Sequence, residues 1–435
     1  MYKISEDTVL TPDLIKAYID RHKATQARLN KLNDYYGCKH DILQRQTGSG
    51  KPNNKLVNPY ANYITDMFCG YFMGEPVAYN SEDTEFIDAL QGIFNLNDEQ
   101  AHNAELAKDA SIFGVAYELL YLDEAANVCF APLDSREVIP LYSDSLNSEI
   151  LFAIRYYKVE NILRNTFVTK VEVYSPSDIT YYTLDNGALS MTGTVEHSFG
   201  MCPVVEYRNN DEQIGDFEPV VSLIDAYDKL ESDSINDFDY FADAYLALVG
   251  MSGTTQEDIA AMRESRVLLL EENGKADWLI KDTPDAHLEN MKNRIAQDIH
   301  TFSKCPKLTD ENFAGNATGV AMKYKLMGLE NATAKKERAF KKGLQRRIRL
   351  IAQILNILGG SYDWRSIDIT FTRNLPVNVQ EAAELAASLQ GIVSEETLLA
   401  QLPFVTDVQA ELQRKKAETT VEPYSIAPQE AQDDE

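Results

Sequence analysis

Much that would commit this sequence to a function class is missing from it. The five cysteines, Cys38, Cys69, Cys129, Cys202 and Cys305, lie far apart with no Cys-x-x-Cys pair. An odd, dispersed set argues against a disulfide framework or a zinc ribbon and fits a reducing compartment. No apolar run approaches the roughly 20 residues that cross a bilayer, so no membrane partner is expected. The opening MYKISEDTVL has neither the basic flank nor the apolar stretch of a secretory leader, so the chain is expected to be cytosolic where it is made.

Catalytic signatures are scarce too. There is no nucleophile elbow, no His-Glu-x-x-His and no dinucleotide glycine fingerprint. The stretch GSGK at 48–51 imitates a phosphate loop, but Arg45 stands where that loop needs glycine and Pro52 where it needs a hydroxyl. A solvated loop is the better reading. The six histidines are isolated at ligand spacing and read as surface residues. No catalytic residue, metal ligand or cofactor is assigned.

Positive charge is short: 41 Lys and Arg stand against 68 Asp and Glu, a formal charge of -27. Such a chain repels nucleic acid except at local basic patches, because phosphate binding draws its affinity from cations.

With 435 residues, 44% of them hydrophobic, the chain can bury a large core in more than one unit. Thr11-Pro12-Asp13 combines an N-cap, a first-turn proline and a favourable carboxylate, predicting a helix toward Asn33. Asn58-Pro59 opens a second, whose Ala61, Ile64, Met67, Phe68, Tyr71 and Phe72 form an apolar face ended by Gly74. Helical patterns follow near 82–94 and 98–113. From Val115 the period shortens, predicting strands over 115–122, 128–132, 150–158, 167–174 and 179–184.

From Pro219 to Gly250 there is no Pro or Gly, and Ile224, Tyr227, Ile235, Phe238, Ala242, Tyr245 and Val249 recur every three or four residues or at multiples of that spacing. That predicts one helix of about 30 residues. A second helix opens at Thr283-Pro284-Asp285 and stops before Pro306. Between them, Thr254 and Glu257 form a capping box, and Asn273-Gly274 predicts a hairpin flanked by SRVLLLEE and ADWLIKD. A polar segment follows Pro306, then a helix over 320–358 with bends expected at Gly328 and Gly343. A strand is predicted over 362–371, then three helices capped at Asn378, Ser394 and Thr406. From about Thr419 an acidic, disordered tail is expected.

Two charge runs stand out. Asp225, Asp228, Glu231, Asp233, Asp237, Asp239 and Asp243 crowd the first long helix. They read as a solvated or channel-facing surface; the alternative is a metal-dependent nuclease using such carboxylates. Against them, KKERAFKKGLQRRIR carries Lys335, Lys336, Arg338, Lys341, Lys342, Arg346, Arg347 and Arg349, interleaved with Ala339, Phe340, Leu344, Ile348 and Ile351. These cations, with Lys323 and Lys325, are candidates for contact with DNA or with a neighbouring subunit.

Three stretches together resemble the portal proteins of tailed bacteriophages, in the branch typified by Gram-positive siphophages. They are NKLVNPYANYITDMFCGYFMGEPVAY (54–79), the two-helix module over 217–305, and NFAGNATGVAMKYKLMGLENATAKKERAF (312–340), where Thr318 replaces a commoner serine. The resemblance implies a helix-rich α+β portal fold. An α/β wing (1–216) would carry stem helix 1 (217–250), a small α/β clip (251–283) with its hairpin at Asn273 and Gly274, and stem helix 2 (284–305). A tunnel loop, long helix and return strand (306–376) and a helical crown (377–418) would follow, then the tail (419–435). Asn312, Phe313, Gly315, Asn316, Ala317, Thr318 and Gly319 would form the tunnel loop facing the DNA channel.

The implied role is structural rather than enzymatic. Copies would form a closed ring of about twelve subunits at one capsid vertex. Double-stranded DNA would pass through it non-specifically during packaging and ejection. The implied partners are the terminase large subunit, a head–tail adaptor, and the scaffold and major capsid proteins. The implied location is the virion, with host cytoplasm during assembly. An acidic channel with sparse lysines suits sliding, since tight phosphate contacts would hold DNA in place.

Overall fold

The computed structural model describes residues 2–48, 51–162, 165–185, 187–242, 245–249, 275–279, 285–308, 319–374, 379–400 and 408–419, with the single positions 255, 257, 402 and 405. The architecture is mixed helix and sheet, as the sequence predicts. Strand β1 (Tyr2–Ile4) precedes helix α1 (Pro12–Tyr36), where Thr11 accepts from the Leu14 amide as its cap. Helices α2 (Tyr60–Met73), α3 (Thr84–Leu96) and α4 (Glu99–Phe113) follow, with β2 (Ala78–Asn80) between the first two. Gly114 ends α4 at a φ of +85°, and a Cβ there would meet the Gln213 carbonyl at 2.1 Å. Only glycine fits that turn.

Eight strands come next: β3 (Val115–Leu122), β4 (Val128–Leu133), β5 (Val138–Ser143), β6 (Ile150–Asn161), β7 (Thr166–Tyr174), β8 (Asp178–Asp185), β9 (Ala188–Glu196) and β10 (Val204–Arg208). A six-stranded sheet runs β1-β5-β6-β7-β8-β9, antiparallel apart from the parallel β1–β5 pair. A three-stranded sheet runs β10-β3-β4. Helix α1 covers the larger sheet, burying Ile15 and Ile19 with Ile139, Leu141, Ile154 and Val171. The five predicted strands are present. β5, β9 and β10 were not foreseen.

The first long helix differs from its expectation. α5 (Val221–Ala242) is 22 residues long, and Tyr245 and Val249 belong to strand β11 (Tyr245–Val249). β11 pairs antiparallel with β12 (Lys275–Leu279), Tyr245 opposite Leu279. The run YLALV satisfies helical spacing and strand propensity alike, and pairing with KADWL decides for strand. The SRVLLLEE strand and the Asn273-Gly274 turn of the expected hairpin both lie outside the described residues.

Helix α6 (Asp285–Ser303) returns antiparallel to α5: Lys292 meets Glu231 at 3.3 Å, and Ile299 lies in the cluster that holds Ile224. Helix α7 (Gly319–Ile357) is a single uninterrupted helix of 39 residues. Gly343 is a packing glycine and not a bend: a Cβ there would sit 2.5 Å from the Tyr207 ring, so its absence lets α7 lie directly on β10. The predicted strand over 362–371 contracts to β13 (Asp368–Thr370), which pairs with β2. Helices α8 (Val379–Leu389), α9 (Glu395–Leu399) and α10 (Val408–Thr419) follow, and Ser394 caps α9 by accepting from the Thr397 amide. Among the described residues no helix is long and apolar enough to cross a membrane.

Candidate functional site

The candidate cations on α7 divide sharply. Lys325, Lys335 and Arg338 are exposed, and the side chain of Lys323 lies outside the described residues. Lys336 and Arg347 are buried within the chain, whereas Arg346 is half-buried and lines a surface groove. Lys336 is 2% exposed and donates to Asp216 at 2.5 Å, with its ammonium 4.8 Å from the centre of the Phe68 ring. Asp216 also accepts from Ser111. Arg346 gives Nη2 to the backbone oxygens of Ile150 (3.2 Å) and Cys202 (3.1 Å).

Arg347 is fully buried. Its Nε donates to both oxygens of Glu118, at 2.8 and 3.1 Å, and Nη1 reaches Asn103 (2.8 Å) and Glu99 (3.3 Å). Tyr207 donates to Glu118 and Tyr79 to Glu99, while Arg347 Nη2 is buried without a hydrogen-bond partner. Burial alone would push the Glu118 carboxyl up; the Arg347 charge, helped by His102 and Tyr207, outweighs it and holds the group below its usual range. A buried ion cluster survives only when paired and hydrogen-bonded in this way.

The sequence carried a signal for this. Positions 336, 340, 344, 347 and 351 recur every three or four residues, so Lys336 and Arg347 sit on the stripe of Phe340, Leu344 and Ile351. Reading the basic run as one solvated face ignored that phase.

Several acidic residues of α5 have partners, although Asp239 stays exposed and Asp233 partly so. Asp228 is fully buried and accepts from His40 Nδ1 (2.5 Å) and from the Asn58 amide and side chain (2.8 and 2.9 Å). Tyr35 donates to Asp225, Arg45 to Asp233 (2.6 Å) and Asn54 to Asp239 (2.6 Å). Ser232 and Asn236 add contacts to the Leu56 and Asn54 amides. These partners all lie between residues 35 and 58, so α5 is strapped along one side by the segment linking α1 to α2. Arg45, foreign to a phosphate loop, is thus one of the strap's anchors. Asp243 lies outside the described residues. Among the described residues, no three His, Cys, Asp or Glu side chains gather as a metal site.

The histidines correct another expectation. His22, His40 and His102 are buried, and only His287 is fully on the surface. His40 stacks on Tyr35 with ring centres 4.5 Å apart and presents its second nitrogen to the Tyr35 carbonyl. Of the tunnel-loop residues, Asn312, Phe313, Gly315, Asn316, Ala317 and Thr318 lie outside the described residues. Gly319 is the first residue of α7.

While most of these polar groups are paired internally, the three long helices leave large apolar side chains uncovered. They are Ile235 and Phe238 on α5, Met291 and Phe302 on α6, and Tyr324 and Met327 on α7, with Phe238 75% exposed.

Two sheets and a helical layer carry an antiparallel helix pair, α5 and α6, beside the long helix α7. The chain belongs to the family described as "Phage portal protein, SPP1 Gp6-like", which it matches over residues 15–422. It is 26% identical over 451 residues to the portal protein of Bacillus phage SPP1, covering 95% of this chain and 88% of that one. It is 25% identical over 425 residues to the portal protein of Clostridium phage phiCD119, covering 91% and 93%. Among solved structures, the neck of a native gene transfer agent particle computed with C12 symmetry aligns with a TM-score of 0.46 at 13% identity, covering 79% of this chain and 89% of that one. The neck of the empty particle, computed with C6 symmetry, aligns at 0.44 and 12% over 80% and 90%.

Proposed function

We propose that this chain is the repeating subunit of a closed ring at one capsid vertex, through which double-stranded DNA enters and leaves non-specifically. Residues 1–216 form the wing, α5 and α6 the stem, and residues 251–283, with β11 and β12 at its base, the clip. The segment 309–318 with Gly319 lines the channel as the tunnel loop, and residues 377–418 form the crown. The ring of about twelve copies docks the terminase large subunit during packaging and a head–tail adaptor afterwards, and assembles with scaffold and major capsid proteins. It acts as a conduit and not as an enzyme.

One observation carries this reading beyond family membership. Ile235, Phe238, Met291, Phe302, Tyr324 and Met327 are uncovered on three consecutive long helices of a single chain. Water-exposed apolar groups of that size call for a partner surface. A neighbouring copy, meeting a different face in a head-to-tail ring, supplies one without leaving any free end.

Electron microscopy of the purified protein, with native mass measured alongside, tests the proposal. Rings of about a dozen copies with a central hole are expected. A chain that stays monomeric at high concentration and with its scaffold partner present would sink it.

A further inference from the structure

The outer side of α7 that faces β10 and the β5–β6 turn forms a groove of about 530 Å³. Four cations line it (Arg208, Lys342, Arg346 and Arg349) against three acids (Glu149, Glu206 and Asp211), a net surplus of one positive charge on a chain of -27. Two of the cations are internally neutralised: Arg208 pairs with Glu206 at 2.8 Å and Arg349 with Glu149 at 3.1 Å. The other two are not. Arg346 spends Nη2 on two carbonyls, leaves a buried Nε without a hydrogen-bond partner, and has no carboxylate at ion-pair distance among the described residues. Lys342 is exposed and makes no ion pair among the described residues. Tyr142 and Trp364 add aromatic wall.

We propose that this groove is the docking site for the acidic segment 420–435 of the same copy of the chain. That segment holds Glu422, Glu430, Asp433, Asp434 and Glu435 with no Lys or Arg, and its Tyr424 and Ile426 suit the aromatic wall. Sixteen residues span up to about 54 Å when extended. In a chain so strongly negative, such a segment is repelled from most of the surface and collects where cations lack partners. Duplex DNA offers the same anionic chemistry. It must however approach past Glu149, Glu206 and Asp211, whereas a thin peptide can place single carboxylates at Lys342 and Arg346.

Acetylation of lysines in the full-length chain, read by mass spectrometry, tests the assignment. Lys342 is expected to react on the order of threefold more slowly in the unaltered chain than in one carrying Glu430→Gln, Asp433→Asn, Asp434→Asn and Glu435→Gln. Exposed Lys335 serves as internal reference, and about 0.5 M salt should erase the difference by screening. Equal Lys342 reactivity in the two chains overturns the proposal. Protection of Lys342 that appears only on adding a short DNA duplex also overturns it, giving the groove to nucleic acid. Carbodiimide coupling is the second measurement: Lys342 should join a carboxylate within the tryptic peptide 417–435, and coupling only to other segments counts against the proposal. Neither readout depends on ring formation, so this inference and the portal reading fail separately.

Discussion

Arg347 and Glu118, 229 positions apart, meet in the interior with the guanidinium Nε shared between both carboxylate oxygens. The contact joins the rear half of α7 to β3, and through Glu99 and Asn103 to α4. Removing one partner leaves a buried charge unanswered. Arg347→Met is expected to lower unfolding stability by about 3–5 kcal/mol, whereas Arg347→Met with Glu118→Leu recovers much of the loss. Denaturant titration of both variants checks this, and equal losses would contradict it.

Asp228 holds the strap on α5. Asp228→Ala strands the donors of His40 and Asn58 inside the protein, at a cost of about 2–4 kcal/mol. Limited proteolysis reads the local effect: cleavage between residues 41 and 57 should accelerate before any cut elsewhere. A uniform loss of protection across the chain would instead mean global unfolding.

Phe238 is 75% exposed among the described residues, so Phe238→Glu should leave the melting of the isolated subunit nearly unchanged, within about 0.5 kcal/mol. If α5 faces a neighbouring copy, the same change abolishes ring assembly. Light scattering coupled to size exclusion separates the two outcomes, and intact rings would remove α5 from the interface.

Acid should weaken the contact of α1 with the six-stranded sheet through His22. Its ring is buried against Tyr156, with Nδ1 2.9 Å from the phenol, and burial pulls its pKa down to about 4. The unfolded chain therefore binds the proton first. The stabilisation is full above pH ~6.5 and is lost as pH falls toward about 4, on the order of 2–3 kcal/mol. In His22→Gln that part of the acid sensitivity should disappear from pH-dependent melting curves.

Asp109 works in the opposite sense. Burial, the main cause, raises its carboxyl to about 6, so ionising it at neutral pH costs stability in the folded chain. The penalty grows as pH rises from the ordinary aspartate range through about 6. Asp109→Asn should therefore stabilise the protein at pH 8 by about 1 kcal/mol, with little effect at pH 4. Destabilisation at pH 8 would show that the ionised carboxylate has a partner.

The local grammar of the chain was legible. Caps and apolar phase placed α1 to α4, α6 and α7 within a few residues, because those signals act within one or two turns. β5 was hidden by Pro140, which normally argues against a paired strand. Here the parallel partner β1 pairs only from Leu141 onward, so the missing amide hydrogen falls outside that ladder. β9 shows little alternation of burial and contains Gly193, leaving no period to read. The fate of the charges was harder still. Whether Asp228 faces water or His40 depends on a segment 170 to 188 positions away. Only for Lys336 and Arg347 did the sequence alone hold the answer, in their phase with Phe340 and Ile351.

Because α7 is continuous, its two ends cannot move independently. At about 1.5 Å per residue it is a rod of roughly 58 Å. Its rear half is clamped by Gly343 on Tyr207 and by Arg347 among buried acids, while its front end begins at Gly319, directly after the segment 309–318. The rod therefore fixes the spacing between that clamp and the buried Leu326 and Leu329 near its front, which pack with Ile224 and Ile299.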